Sequence, residues 1–257
     1  MKKLLIFTFI IIPVCFLSAQ KKTFQDGEWL KFRVHYGWFN ASYATLQVQD
    51  QMIGDVPVFH IVGHGESTGL LDVFFKVKDT YESYIDKETG LPYKFVRNIN
   101  EGGYKKHKIL HFDQKNHTVK VSDLRHDKNE SFSSNPNVQD MISVLYYIRN
   151  HIDEQLQEKG NSMVVNMFFD NKDYKFKTVY LGQETIKTKF GKIKCIKLRP
   201  YVQSGRVFKE KESLTVWISA DENKIPVKIK AKLAVGSLTA DLYAYKGLKH
   251  SLELHPN

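Results

Sequence analysis

Between Glu28 and Lys246 apolar residues recur mostly at every second position, the mark of half-buried strands. In Glu28–Tyr36, Leu30, Phe32, Val34 and Tyr36 share one face, and Trp29, Lys31, Arg33 and His35 share the other. Gly37 opens a turn, and Ala41–Gln49 resumes the alternation. Val56–Val62 follows the turn signal Gly54-Asp55. Lys76–Ile85 and Tyr93–Asn100 flank Thr89-Gly90-Leu91-Pro92, and Tyr104–Asp113 and Thr118–Leu124 flank Gln114–His117. Later strands are expected over Ser162–Phe169, Tyr174–Gln183 after an Asn171-Lys172-Asp173 turn, Glu184–Thr188, Ile193–Val202, Lys211–Ser219, Ile225–Val235 and Ser237–Lys246.

One segment breaks the period. Val138, Met141, Ile142, Leu145, Ile148 and Ile152 fall three and four apart, which predicts an amphipathic helix over 138–154. Asn137 is its expected N-cap, with Asp140 supporting the first turn. Roughly a dozen short-connected strands exceed what an open twisted sheet holds without curling. The expected fold is therefore mainly β. It is an antiparallel barrel or half-barrel, or two packed β subdomains joined around helix 138–154, with that helix against one opening or face.

The chain begins with Lys2 and Lys3, an apolar run from Leu4 to Leu17, and small residues Ser18 and Ala19 before Gln20. That order reads as a cleavable signal peptide over residues 1–19, and the run is shorter than the roughly 20 residues of a membrane-spanning helix. The expected location is the periplasm or another exported compartment. Cleavage leaves residues 20–257 as one β-rich domain or two β subdomains. It also removes Cys15, so Cys195 stands alone and no internal disulfide is available. A chain of this size buries about 70% of its unfolded surface and does not need one. The formal charge of +10 falls to +8 without Lys2 and Lys3. The lysines are spread along the chain, and nucleic acid is not an expected partner. The densest series, Lys187, Lys189, Lys192, Lys194 and Lys197, reads as the solvated side of a hairpin.

No constellation for chemistry stands out, and no catalytic residue, metal or cofactor is expected. His60/His64 and His107/His111 lie in strand-like runs, where four residues separate side chains by about 13 Å. Two zinc ligands at about 2.1 Å from one ion cannot be that far apart. Ser67, in Gly65-Glu66-Ser67-Thr68-Gly69, lacks the strand–helix setting of a nucleophile elbow, and the same glycines lack a phosphate-loop ending. Asp79 with Glu82, and Glu210 with Glu212, are the acid pairs a glycosidase would need, at a frequency chance supplies. Aromatic residues are more informative. Tyr36, Trp38 and Phe39 crowd a turn, Tyr81 and Tyr84 lie on opposite faces of one strand, and Trp217 sits among apolar neighbours. Read as a rim of rings around an apolar ligand, these six are the candidate binding residues.

Three stretches together resemble a bacterial family, domain of unknown function 3108. They are Gly27-Glu28-Trp29-Leu30-Lys31-Phe32 with Tyr36-Gly37 and Ala41; Val138-Gln139-Asp140-Met141 leading into Leu145-Tyr146-Tyr147-Ile148-Arg149; and Trp217-Ile218-Ser219 with Asp221 and Pro226-Val227. The likeness runs from about Phe24 to Lys246, and the Ser18-Ala19-Gln20 ending is similar to Bacteroidetes-type export signals. The family has no assigned catalytic residues to carry over. Its members are similar in outline to periplasmic half-barrels that carry lipoproteins or lipids, which implies a fold more than an activity. The expected function is thus a periplasmic, non-enzymatic binding protein for an apolar or amphipathic ligand, a lipid for example. The alternatives are a structural or interaction module that meets another cell-envelope protein, and a cell-wall or polysaccharide hydrolase.

Overall fold

The computed structural model describes residues 22–68, 72, 76–201, 214–233 and 235–255. The signal-peptide segment, most of the β3–β4 connection and the Glu210/Glu212 pair lie outside them.

Alternation along the chain produces fourteen strands among the described residues: β1 (Trp29–Tyr36), β2 (Phe39–Ile53), β3 (Val56–Ser67), β4 (Lys78–Asp86), β5 (Pro92–Glu101), β6 (Tyr104–Asp113), β7 (Thr118–Asp123), β8 (Lys128–Ser133), β9 (Ser162–Phe169), β10 (Lys172–Thr188), β11 (Gly191–Tyr201), β12 (Leu214–Ser219), β13 (Pro226–Lys232) and β14 (Ser237–Lys246). A helix, α1 (Ser143–Gln155), separates β8 from β9. The strands form one antiparallel sheet in the order β8-β7-β6-β5-β4-β3-β2-β1-β14-β13-β12-β11-β10-β9. Strands from before and after the helix are joined where β1 pairs with β14, Arg33 opposite Asp241.

The sheet curls without closing, since β8 and β9 end it and do not pair with each other. Instead the segment entering α1 spans the gap, with Gln139 N donating to Asn166 O at 2.8 Å and Phe168 N donating to Gln139 O at 2.9 Å. Side chains also cross it. Phe168 of β9 packs against Phe112 and Phe132 at 6.5 and 5.8 Å between ring centres. The fold is thus a barrel-like open sheet wrapped around one helix.

The local differences from the sequence reading have physical reasons. β8 lacks an apolar stripe because it is an exposed edge strand, its Lys128-Asn129-Glu130 start being the charge that discourages edge pairing. β10 is one long strand, its break absorbed by a bulge between Tyr180 and Gly182. The turn before it is Asp170-Asn171, both at positive φ (48° and 64°), the geometry of a two-residue hairpin. α1 begins at Ser143, five residues later than the apolar stripe implies, because Asp140 holds the first turn. Its Oδ1 accepts from Ile142 N and Ser143 N, both at 2.7 Å. Asn137, the expected cap, instead takes φ 53° in the approach to the helix.

In a meander of this kind the turns fall alternately on two rims. One rim carries the turns following odd-numbered strands, among them Gly37-Trp38, Asp170-Asn171 and residues 233–236. The other carries the turns following even-numbered strands, together with the chain segments 22–28 and 247–255.

Candidate functional site

The second rim is closed by the last two turns of α1. Arg149 is buried to 1% exposure and Glu28 completely. Its Nη1 donates to Glu28 Oε1 at 2.6 Å, and its Nη2 donates to Glu28 Oε2 at 2.8 Å and to Asn223 O at 2.8 Å. The Glu28 carboxylate raises the guanidinium's affinity for its proton despite the opposing pull of burial. Asn223 is held in turn by Asp221, which also accepts from the Ser219 hydroxyl at 2.6 Å. Asn150 accepts from Thr23 N at 3.0 Å, and Lys224 reaches Asp153 at 3.1 Å. Chain start, helix and the β12–β13 turn are tied into one polar floor.

Between the first turns of α1 and strands β9 to β13 lies a cavity of about 410 Å³. Val144, Leu145 and Ile148 of α1, with Met141 just before it, form one wall, facing Phe169, Phe176, Leu198, Leu214, Val216 and Ile229 on the sheet. Phe169 ends β9, Pro200 is next to last in β11 and Leu214 begins β12, so the cavity lies toward the first rim, opposite the floor. Among the described residues no charged side chain lines it. Its polar groups are the Tyr174 hydroxyl, which donates to Met167 Sδ at 3.3 Å, and the Thr178 hydroxyl, which is buried without a hydrogen-bond partner. The volume falls within the roughly 300–1,000 Å³ of small-molecule sites, and the lining is of their predominantly apolar kind. A second hollow of about 430 Å³ is walled by Arg33, Lys187, Lys189, Lys228 and Asp241 and lacks that lining.

The six aromatic candidates do not form a ring around this space. Tyr36 donates to Val235 O at 2.9 Å and lies over Gly236, where a Cβ would come within 2.5 Å of its hydroxyl. Trp38 is 95% exposed in its two-residue turn, with Phe39 beside it at 6.1 Å. Tyr84 stacks on His60 at 4.2 Å and donates to Glu82; burial pushes its hydroxyl up to about 12, and the Glu82 carboxylate adds to this. Trp217 is buried on the face of β12 opposite Val216 and Ile218, its Nε1 donating to Glu184 at 3.1 Å. Tyr81 alone borders the interior, packing in the cluster that contains Met141 and Leu145. The residues that line the cavity are aliphatic for the most part, and strand alternation does not separate them from ordinary core.

The other constellations are accounted for structurally. His60 and His64 lie in β3, and His107 and His111 in β6. His60 pairs with Glu82 at 2.8 Å and His64 with Thr80 at 3.2 Å. Ser67 donates to Asp72 and accepts from Val77 N, which pins the β3–β4 connection. Asp79 and Glu82, three apart in β4, point to opposite faces. Cys195 is buried, and burial first, then Asp221 and Glu184, push its thiol up to about 12. Among the described residues no helix is long and apolar enough to cross a membrane.

No curated protein matches the chain. Among solved structures, the beta-barrel-like protein of the DUF1849 domain of unknown function from Brucella abortus superposes with a TM-score of 0.59 at 6% identity, over 88% of this chain and 100% of that one. A DUF1089 family protein from Pseudomonas aeruginosa aligns with a TM-score of 0.39 at 9% identity, over 83% of this chain and 93% of that one. The first of these is a likeness of fold alone. Residues 31–243 match the model of the DUF3108 family of proteins of unknown function, and the match spans most of the sheet, α1 and Arg149. The chain belongs to the DUF3108 family.

Proposed function

We propose that this protein is an exported, non-enzymatic carrier that holds an apolar or amphipathic chain, such as a lipid acyl tail, in the cavity beside the first turns of α1. The observation that carries the reading is the apolar cavity of about 410 Å³, uncharged among the described residues, on the side of the barrel opposite the polar floor. An unfilled apolar space destabilises a protein roughly in proportion to its volume, so it is retained where a ligand uses it. The unpartnered Thr178 hydroxyl gives such a ligand one directional hydrogen bond. Export rests on the signal-like residues 1–19. Native mass spectrometry of the protein purified from its own envelope, followed by organic extraction, tests the reading. The expected result is a bound mass that extraction removes and identifies as an acyl-bearing molecule. A ligand-free protein that takes up none of the added lipids overturns it.

A second reading, an interaction module of the cell envelope, is favoured by Trp38 and by Val235, which is 77% exposed on the same rim. In-cell crosslinking from position 38 then traps one abundant envelope partner.

A further inference from the structure

One wall of the barrel interior is not apolar. Phe95, Arg97 and Ile99 alternate onto the core face of β5, and Arg97 stands directly opposite Lys108 of β6, with Lys106 two residues along. Like charges directly opposite in a ladder destabilise a sheet, so this arrangement needs a reason. The three cations converge on the β9–β10 turn. Arg97 Nη1 and Lys106 Nζ share a single oxygen, Asp170 Oδ1, at 2.6 and 3.0 Å. Lys108 Nζ donates to Asn171 Oδ1 at 3.2 Å and lies 3.9 Å from Asp123, which His126 also engages at 3.0 Å. Asp170 and Asp123 are among the carboxylates that face these cations, with Glu101 on the same face of β5. Arg97 Nε is buried with no hydrogen-bond partner. The cluster adjoins the cavity, for the Arg97 guanidinium lies over the Phe169 ring at 4.5 Å, and Phe169 is a cavity wall.

We propose that the proposed ligand is a single-chain amphiphile with an anionic oxyanion head, its chain in the apolar cavity and its head on Arg97, Lys106 and Lys108. This deepens the carrier reading and rests on it. Asp170 holds the head's position in the free protein, on a hairpin turn that is 52% exposed at its side chain and so can yield it. Carboxylate and phosphate heads share the required chemistry, an oxygen acceptor that takes charge-assisted hydrogen bonds from Arg and Lys.

The test is displacement of the neutral fluorophore N-phenylnaphthylamine from the full mature protein at low salt by hexadecanol, palmitate or palmitoyl lysophosphatidate. The two anions are expected to bind about tenfold more tightly than hexadecanol. The tighter of them identifies the head as carboxylate or phosphate. Arg97→Gln with Lys106→Gln should bring both anions down to the hexadecanol affinity and leave hexadecanol unchanged. Asp170→Asn, which removes the internal competitor, should strengthen the anions alone, and it keeps the test decisive if the double variant does not fold. Equal affinities for all three in the wild type, a preference that survives the double change, or weaker anion binding by Asp170→Asn overturns the head assignment. Failure of all three to displace the probe, hexadecanol included, overturns the carrier reading instead.

Discussion

At the closed rim Arg149 bonds Glu28 in a bidentate pair and donates to Asn223, with the chain start, the helix end and the β12–β13 turn all drawn in. At the other rim the same helix faces a space walled by Met141, Leu145, Phe169 and Val216 that none of the described residues fills. One helix therefore serves two ends in opposite ways. Its last turns are fixed by directional bonds to buried charge, and its first turns pack apolar side chains into the sheet's core clusters beside the cavity. The contrast separates the hydrogen-bonded end of the helix from the end where the proposed ligand would sit.

Breaking the floor should have the largest effect. Arg149→Met leaves Glu28 buried and unpaired, and a loss of about 3–5 kcal/mol is expected. Replacing both, Glu28→Leu with Arg149→Met, should recover much of that loss. Urea midpoints of the three proteins check this; similar midpoints for wild type and Arg149→Met would mean the floor contributes little.

Asp140 lies at the start of α1, fully buried, accepting from Ser83 Oγ at 2.6 Å. Burial pushes its carboxyl up to about 6 from 3.8, against the pull of its hydrogen bonds. The folded protein thus holds this proton more tightly than the unfolded chain does. Its contribution to stability is full below about pH 4 and is lost as pH rises through 6, by about 3 kcal/mol. Asn can cap the helix equally well. Asp140→Asn should therefore gain on the wild type by about that amount between pH 4 and pH 7, read from paired denaturation curves; parallel curves would dismiss the effect. The smallest change is expected at the open rim. Trp38→Ser removes an exposed ring and should shift stability by no more than about 0.5 kcal/mol in thermal melts.

The division also explains what the sequence could tell. The period-two pattern is a local property, and it yielded strands, sheet sense and barrel-like curl with only end shifts. The helix is legible from Val138, Ile142, Leu145 and Ile152, but it starts later than that stripe implies because Asp140 takes the N–H groups of Ile142 and Ser143, its side chain anchored by Ser83 57 residues away. The family-like residues Glu28, Asp140, Arg149 and Asp221 turned out to build the floor and the helix cap. They carried fold and not site. The cavity was hidden because Leu198, Val216 and Ile229 alternate as any strand core does, and only sheet curvature leaves space between them and α1. The headgroup site proposed above has its own pattern in Phe95-x-Arg97-x-Ile99 and Lys106-x-Lys108-x-Leu110, where cations occupy an otherwise apolar face.

The space beside α1 is, on the proposed reading, a binding cavity and not a packing fault. Leu145→Phe with Val216→Trp fills it from both walls. Titration of N-phenylnaphthylamine into wild type and this variant, with thermal melts of each, tests the claim most directly. Saturable one-to-one binding by the wild type is predicted, weakened about tenfold or more in the variant, whose melting temperature stays level or rises. Equal binding by both proteins, or no saturable binding by the wild type, would contradict it.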